Sequence, residues 1–490
     1  MKKLLSIILA LALILSMTAF AMAEPAAATP KYVFMFIGDG QGSPQITAAQ
    51  YYLGTLENPE AVMPVPAQLS FTGFNSLGLI TTYDATSFCP DSASTATSMA
   101  SGNKTLSGVL NYNVDKTESF KLITEYAKEA GMKVGVITSV SLDHATPAAY
   151  YAKVPSRSQY YDISVQGLSG TTLDFLAGGS FLQPKGKEGD QKDLMDIAQE
   201  NGWTVVRKAD DIRAITKDSG RVLAMVEDVD ASQAMQYEID RMHMNANGGD
   251  SLSLADIVKA GIADLDNENG FYLMTEGGKI DWTCHANDAI TSIYDSLAFS
   301  DAVQVAIDFA AQHPADTLII VTGDHETGGM TIGFATTAYE THFNYLKNAK
   351  VSYQEFDKVI TDMRTSKATF EDALKAIEAY YGLTTAADQP LTLTESELST
   401  LQKAFNLSMQ EKADRQLGDE EALAYGGYEP LSVTVTHIFN NKAGIAYTSY
   451  AHTGLQIPVY AQGVNASLFG GQYDNTQIFV KTMEAMGLAQ

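Results

Sequence analysis

The chain has 490 residues, with 32 Lys plus Arg against 58 Asp plus Glu, eight His, two Cys and a formal charge of -26. That charge argues against a nucleic-acid partner, because phosphate-backbone binding needs clustered basic residues, and 45% apolar with 9% aromatic residues excludes a disordered acidic tail. Cys89 and Cys284 can form one bridge at most, which excludes a disulfide framework.

The N-terminus reads as an export leader. Met1-Lys2-Lys3 is basic, Leu4 to Met17 is apolar, and Ala21-Met22-Ala23 is a small-x-small cleavage site. The apolar run is shorter than the ~20 residues that span a bilayer, and no later stretch could span one. The expectation is a signal peptide over residues 1–23, cleaved after Ala23, and a mature protein in the periplasm or outside the cell.

Further along, short apolar runs each end in a polar cluster. Lys31 to Ile37 leads into Gly38-Asp39-Gly40, and Lys133 to Ile137 leads into a segment ending His144-Ala145-Thr146. Phe271 to Met274 leads into Thr275-Glu276-Gly277-Gly278, and Thr317 to Val321 into Thr322-Gly323-Asp324-His325. Continuous Val/Ile/Leu/Phe runs fit strands covered on both faces. Helical stretches such as 119–130 and 286–311 lie between them, so the predicted class is α/β, a mostly parallel central sheet flanked by helices. The length fits one large domain with an insertion, or two domains, and the expectation is one domain over residues 24–490. The polar clusters follow strand C-terminal ends, where open α/β sheets bind ligands, and so point to a single site.

From about 337 to 428 the periodicity becomes helical. Phe356, Val359, Ile360 and Met363 share one face, as do Phe370, Leu374, Ile377 and Tyr381, then Leu398, Leu401 and Phe405. Thr394 and Glu397 form a capping-box pair ahead of the last of these. This stretch is predicted to be a helical insertion near the C-terminal third. A strand pattern is expected to return at Leu431 to Ile438, and Ile445 to Thr448 leads into His452-Thr453-Gly454.

Each chemical candidate has an ordinary reading when taken singly. Asp281 and His285, four apart, would share a helix face if Asp281 opens a helix, yet also suit a capping pair. Asp324-His325 suits a helix N-cap, Asp39 a turn, and His452 a core position. Together with Glu276 they set seven oxygen and nitrogen ligands at one sheet edge. Four carboxylates there repel one another unless cations intervene, so metals are implied. Imidazole with carboxylate suits zinc, whereas carboxylates with a Thr hydroxyl and waters suit magnesium. In Pro90 to Ser98, Asp91 as an N-cap would place Ser92 at an NH-rich helix end that attracts phosphate, although the segment also reads as a Ser/Thr-rich helix start. Arg157 offers a guanidinium whose geometry matches a phosphoryl group, or is a surface residue. A sulfatase-type Cys-x-Pro-x-Arg signal is absent, because Pro90 follows Cys89 directly and Ala93 stands where Arg would be.

The segments Gly38-Asp39-Gly40, Asp91-Ser92-Ala93, His144-Ala145-Thr146-Pro147 with Arg157, Glu276 to Asp281 with His285, Thr322 to Glu326, and His452-Thr453-Gly454 resemble the alkaline phosphatases, in family order and across the chain. The resemblance implies two zinc ions and one magnesium ion per subunit. Asp281, His285 and His452 would hold the first zinc; Asp39, Asp324, His325 and Ser92 the second; Asp39, Thr146 and Glu276 the magnesium. Ser92 would be the nucleophile of a phosphoserine pathway and Arg157 the clasp on the phosphoryl oxygens, with small-molecule phosphate monoesters of many kinds as substrates and a homodimer as the assembly. His144 and Trp282, near the third metal, replace the Asp and Lys of a well-known bacterial pattern, and an imidazole there favours zinc or cobalt over magnesium. Cys284 beside His285 is a further candidate ligand or a buried thiol. Two other functions remain open at this point: a phosphodiesterase or nucleotide pyrophosphatase of the same superfamily, against which Thr146, Glu276 and Arg157 weigh, and a non-catalytic phosphate or metal binder.

Overall fold

The computed structural model describes residues 29–488 apart from Leu417, so the leader expected over residues 1–23 lies outside the described residues. In chain order the strands are β1 (Tyr32–Gly38), β2 (Ser76–Thr81), β3 (Lys133–Thr138), β4 (Phe175–Gly178), β5 (Trp203–Val206), β6 (Arg221–Met225), β7 (Phe271–Glu276) and β8 (Thr317–Gly323). They are followed by β9 (Glu326–Thr327), β10 (Thr331–Ile332), β11 (Ile445–Ala446), β12 (His452–Thr453), β13 (Ile457–Gly463) and β14 (Gly471–Asp474). Ten of them form one sheet in the order β14-β2-β13-β8-β1-β7-β3-β4-β6-β5. All its pairings are parallel except those of β13, which runs antiparallel to β2 and β8. The four runs that the sequence marks as strands are β1, β3, β7 and β8, which sit side by side at the centre.

Alternation along β1 explains why the sheet is covered on both faces. Phe34 and Phe36 belong to one apolar cluster and Val33, Met35 and Ile37 to the other, so no face of the strand is left for water. The stretch from 337 to 428 is helical, with helices Tyr353–Ser366, Phe370–Tyr381, Glu395–Ser408 and Asp419–Tyr425, and Thr394 closes the expected capping box with Glu397. Its Phe356, Ile360, Ile377, Leu401 and Phe405 lie in the same cluster as Phe34 and Phe36, so these helices share a core with one sheet face.

One expectation is overturned. Leu431 to Ile438, which alternates like a strand, lies within a helix spanning Pro430–Ala443. Most of its residues are buried on every side, so β-branched side chains pack well there without a polar face to set a helical period. Its ends carry the signal that the alternation hides: Pro430 at the first helical position and Gly444 in the left-handed region just past the last. Among the described residues no helix is long and apolar enough to cross a membrane.

Candidate metal and phosphoryl-transfer site

Register brings the ligands together. Thr138, Glu276, Ile37 and Thr322 form one row across β3, β7, β1 and β8. Asp39 and Asp324 stand two residues beyond that row, at the C-terminal ends of adjacent strands. Gly40, at φ +71, turns the chain away from β1; a Cβ there would meet the Thr327 side chain at 2.8 Å and the Asp281 backbone at 2.9 Å.

The second expected group is the tightest. His325 Nε2 lies 3.2 Å from Asp39 Oδ1 and 3.3 Å from Asp324 Oδ2, and all three residues are fully buried. Ser92 opens the helix Ser92–Ser101, capped by Asp91, which accepts from the Ser94 N–H. The Ser92 Oγ is 3.1 Å from His325 Nε2 and 3.4 Å from Asp39 Oδ1. The nucleophile candidate therefore sits at an NH-rich helix end and within reach of the buried ligands.

On the first group's side, the short helix Lys279–His285 carries Asp281 in its first turn and His285 at its end, on one face as the spacing predicts. Asp281 lies 3.4 Å from both His285 Nε2 and His452 Nε2, and the two imidazole nitrogens are 3.1 Å apart. The His325 and His452 rings stack at 3.6 Å, so ligand atoms of Asp281, His325 and His452 converge and His325 stands between the two groups. Cys284, buried and free, faces Ser292 at 3.2 Å and among the described residues joins no ligand cluster; Cys89 is free and exposed.

In the third group, Asp39, Glu276 and His144 place ligand atoms within 4.8 Å of one another, and Thr146 Oγ1 donates to Asp39 Oδ2 at 3.2 Å. Trp282 packs edge-on to the His144 ring at 5.7 Å. Arg157 pairs with Asp91 at 2.9 Å and reaches His144 Nε2 at 3.2 Å, which joins it to the residue next to Ser92. Every residue named from the sequence except Cys284 is thus drawn into one site.

Charge makes the site incomplete without cations. Among the described residues Asp39, Glu276, Asp281 and Asp324 have no Lys or Arg ion-pair partner, and each is at least 96% buried. Burial first and Asp39 second push both Glu276 and Asp324 well above the usual carboxylate range. Burial also opposes the charge of Asp281, yet His285 and His452 hold it well below that range. Asp39 is held below its ordinary value by His325 against burial and Asp281. The His285 imidazole, despite its burial, is raised to about 9 by Asp281, whereas burial and then Arg157 push His144 down to about 4. Among the described residues Glu276 Oε1 is buried with no hydrogen-bond partner. Oxygen and nitrogen donors in this arrangement fit divalent ions, with histidine in each cluster suiting zinc.

Several supporting residues escape a sequence reading. Thr95 donates to Asp324 at 2.9 Å, Thr327 to Asp281 at 2.5 Å, and Thr138 to Glu276. The backbone carbonyls of Tyr450 and Pro90 accept from His285 Nδ1 and His452 Nδ1, each at 2.6 Å, which leaves the Nε2 atoms facing the site. Thr95, three residues past Ser92 on its helix, carries only the faint signal of helical spacing, and the carbonyls carry no side-chain signal.

A family model described as alkaline phosphatase matches residues 30–488. The chain is 31% identical over 471 residues to alkaline phosphatase 3 of Bacillus subtilis, an alignment that covers 93% of this chain and 89% of that protein. Among solved structures, the alkaline phosphatase of Thermus thermophilus superposes with a TM-score of 0.76 at 25% identity, covering 94% of this chain and 92% of that one. The cold-active alkaline phosphatase of a psychrophilic Shewanella does so with a TM-score of 0.74 at 27% identity, covering 93% and 99%.

Proposed function

The chain belongs to the alkaline phosphatase family and hydrolyses phosphate monoesters, and from that premise we propose that it works through a phosphoserine on Ser92, with two zinc ions and one magnesium ion per subunit. The observation that carries this reading is the position of the Ser92 hydroxyl, at a helix N-terminus and 3.1 Å from His325 Nε2.

The first zinc is assigned to Asp281, His285 and His452, the second to Asp39, Asp324 and His325 with Ser92, and the magnesium to Asp39, Thr146 and Glu276. His144, held neutral by its low pKa, is available beside that last group and favours zinc or cobalt there. Bound ions supply Lewis acidity, which lowers the pKa of the attacking hydroxyl, steadies the departing oxygen and neutralises phosphoryl charge. Ser92 Oγ attacks phosphorus in line; its bond to phosphorus forms as the ester bond breaks and the alcohol leaves. Water then attacks the same phosphorus, which releases phosphate and restores the hydroxyl. Asp91 orients Arg157 toward the phosphoryl oxygens, and the amides opening the Ser92 helix add positive potential. Since the stabilising groups gather on the phosphoryl side, the alcohol is free to vary.

Exhaustive chelation is expected to abolish monoester hydrolysis and added zinc with magnesium to restore it; activity that survives chelation contradicts the reading. A diester hydrolysed faster than a monoester would favour the phosphodiesterase alternative. Export follows from the leader pattern over residues 1–23, and pairing with a second copy from the family resemblance.

A further inference from the structure

Asn287 lies two residues past His285, in the left-handed region at φ +53, and is 98% buried. Its Nδ2 donates to the Cys284 carbonyl at 2.8 Å and to the Ser449 carbonyl at 2.9 Å. Those two carbonyls belong to the two segments that supply the first zinc group: Cys284 precedes His285, and Ser449 precedes Tyr450, whose carbonyl orients His285 and which lies two residues before His452. Because carbonyls only accept, the amide NH2 faces them, and Oδ1 is left to accept from His437 Nε2 at 2.9 Å. Asn440 Nδ2 donates to the Asn287 carbonyl at 2.8 Å.

His437 and Asn440 lie three apart on the Pro430–Ala443 helix, the one whose sequence reads as a strand. The neighbouring Asp288 caps the long helix Ala289–Gln312 and accepts from the Tyr353 N–H at 2.8 Å, where the helical stretch begins. The first long helix of that stretch and the helix that follows the stretch are therefore both tied to Asn287–Asp288, just past His285.

We infer that Asn287, held by His437 and Asn440, is a positioning residue that clasps the Lys279–His285 helix to the Ser449–His452 segment and so sets the geometry of the first zinc group. The Pro430–Ala443 helix acts on that group through Asn287, and the second group, built on strand ends, is affected less. The inference rests on the assignment of Asp281, His285 and His452 as one ion's ligands.

Asn287→Gly removes the side chain while accommodating the positive φ; His437→Leu removes the donor, and His437→Gln tests rescue. Zinc retained per chain is measured for each holoenzyme dialysed against graded chelator, together with kcat and KM. In Asn287→Gly and His437→Leu one zinc should leave at roughly 10–100-fold weaker chelation than in the parent, the usual effect of losing a group that orients a ligand, while the other metals stay. The cobalt-substituted parent and variants should differ in the visible bands of one site, His437→Gln should recover part of the loss, and the double variant Asn287→Gly/His437→Leu should be no worse than Asn287→Gly alone. Retention like the parent's, loss of all metals in step, or additive losses in the double variant would overturn the clasp. If the parent itself holds fewer than two zinc ions, the metal assignment fails instead.

Discussion

The two zinc groups proposed for this site are made of different material. Asp39, Asp324 and His325 follow adjacent central strands, and all three are fully buried. His285 and His452 come from a seven-residue helix and a two-residue strand, and their side chains remain 24% and 12% exposed. On the strand side the sheet itself fixes the ligands, because a row of backbone pairings runs directly beneath them. On the other side orientation depends on hydrogen bonds to the Tyr450 and Pro90 carbonyls and on the Asn287 clasp. A group held by the sheet should fail outright when a ligand is lost, and a group held by hydrogen bonds should fail gradually and recover when metal is supplied.

The largest contrast is expected from single ligand removals. Asp324→Asn should lower kcat/KM by about 10³-fold, the upper end of what one electrostatic stabiliser contributes, and added zinc should not restore it. The same variant, stripped of metal, should unfold at a temperature no lower than the stripped parent, since it loses a carboxylate that burial and Asp39 already disfavour. His452→Ala should cost about 10²-fold and regain much of that in excess zinc. Equal losses with equal rescue would dissolve the difference between the two sides.

Much of the strand side is legible in the amino-acid sequence, and the reason is physical. β1, β7 and β8 are apolar without interruption because both sheet faces are covered, and a polar cluster directly after such a run lies at the sheet edge by necessity. Asp39, Glu276, Asp324 and His325 therefore declare themselves, and the resemblance to alkaline phosphatases orders them. The other side is obscured by tertiary context. Leu431 to Ile438 imitates a strand because a helix buried all round has no polar stripe. His437, which matches no motif, reads as an ordinary surface or capping residue, yet it is driven down to about 4 by burial and faces Asn287. Asn287 carries one faint signal, since Asn is among the few residues that adopt positive φ after a helix. Nothing local marks the Tyr450 or Pro90 carbonyls.

Arg157 belongs to neither zinc group and should show a smaller effect of another kind. Arg157→Ala is expected to raise KM and weaken inhibition by phosphate by roughly tenfold, with kcat falling less, because a phosphoryl contact is lost on bound ester and product alike. A change confined to kcat would place its contribution in the transition state alone.

The metal-free protein provides the smallest test, through pH. His285 is raised to about 9, so between pH of about 7 and 9 the folded state binds a proton that the unfolded chain has released, and the raised carboxyls of Glu276 and Asp324 act in the same direction. Stability should therefore fall as pH rises through that window. The chelated protein is expected to lose roughly 2–5 °C in Tm from pH 7 to 9, and the metal-loaded protein less, since bound cations take the place of those protons. A chelated protein that gains stability over the same window would contradict the charge account of the buried carboxylates.

Most direct of all is the covalent step. The metal-loaded enzyme, mixed with a phosphate monoester and quenched in acid, is digested and its peptides sequenced by mass spectrometry. Phosphate on Ser92 in the parent, with none in Ser92→Ala and a fall in kcat of about 10⁴-fold or more, is the result expected of a serine nucleophile. Full turnover by Ser92→Ala, or phosphate carried on another residue, would contradict it.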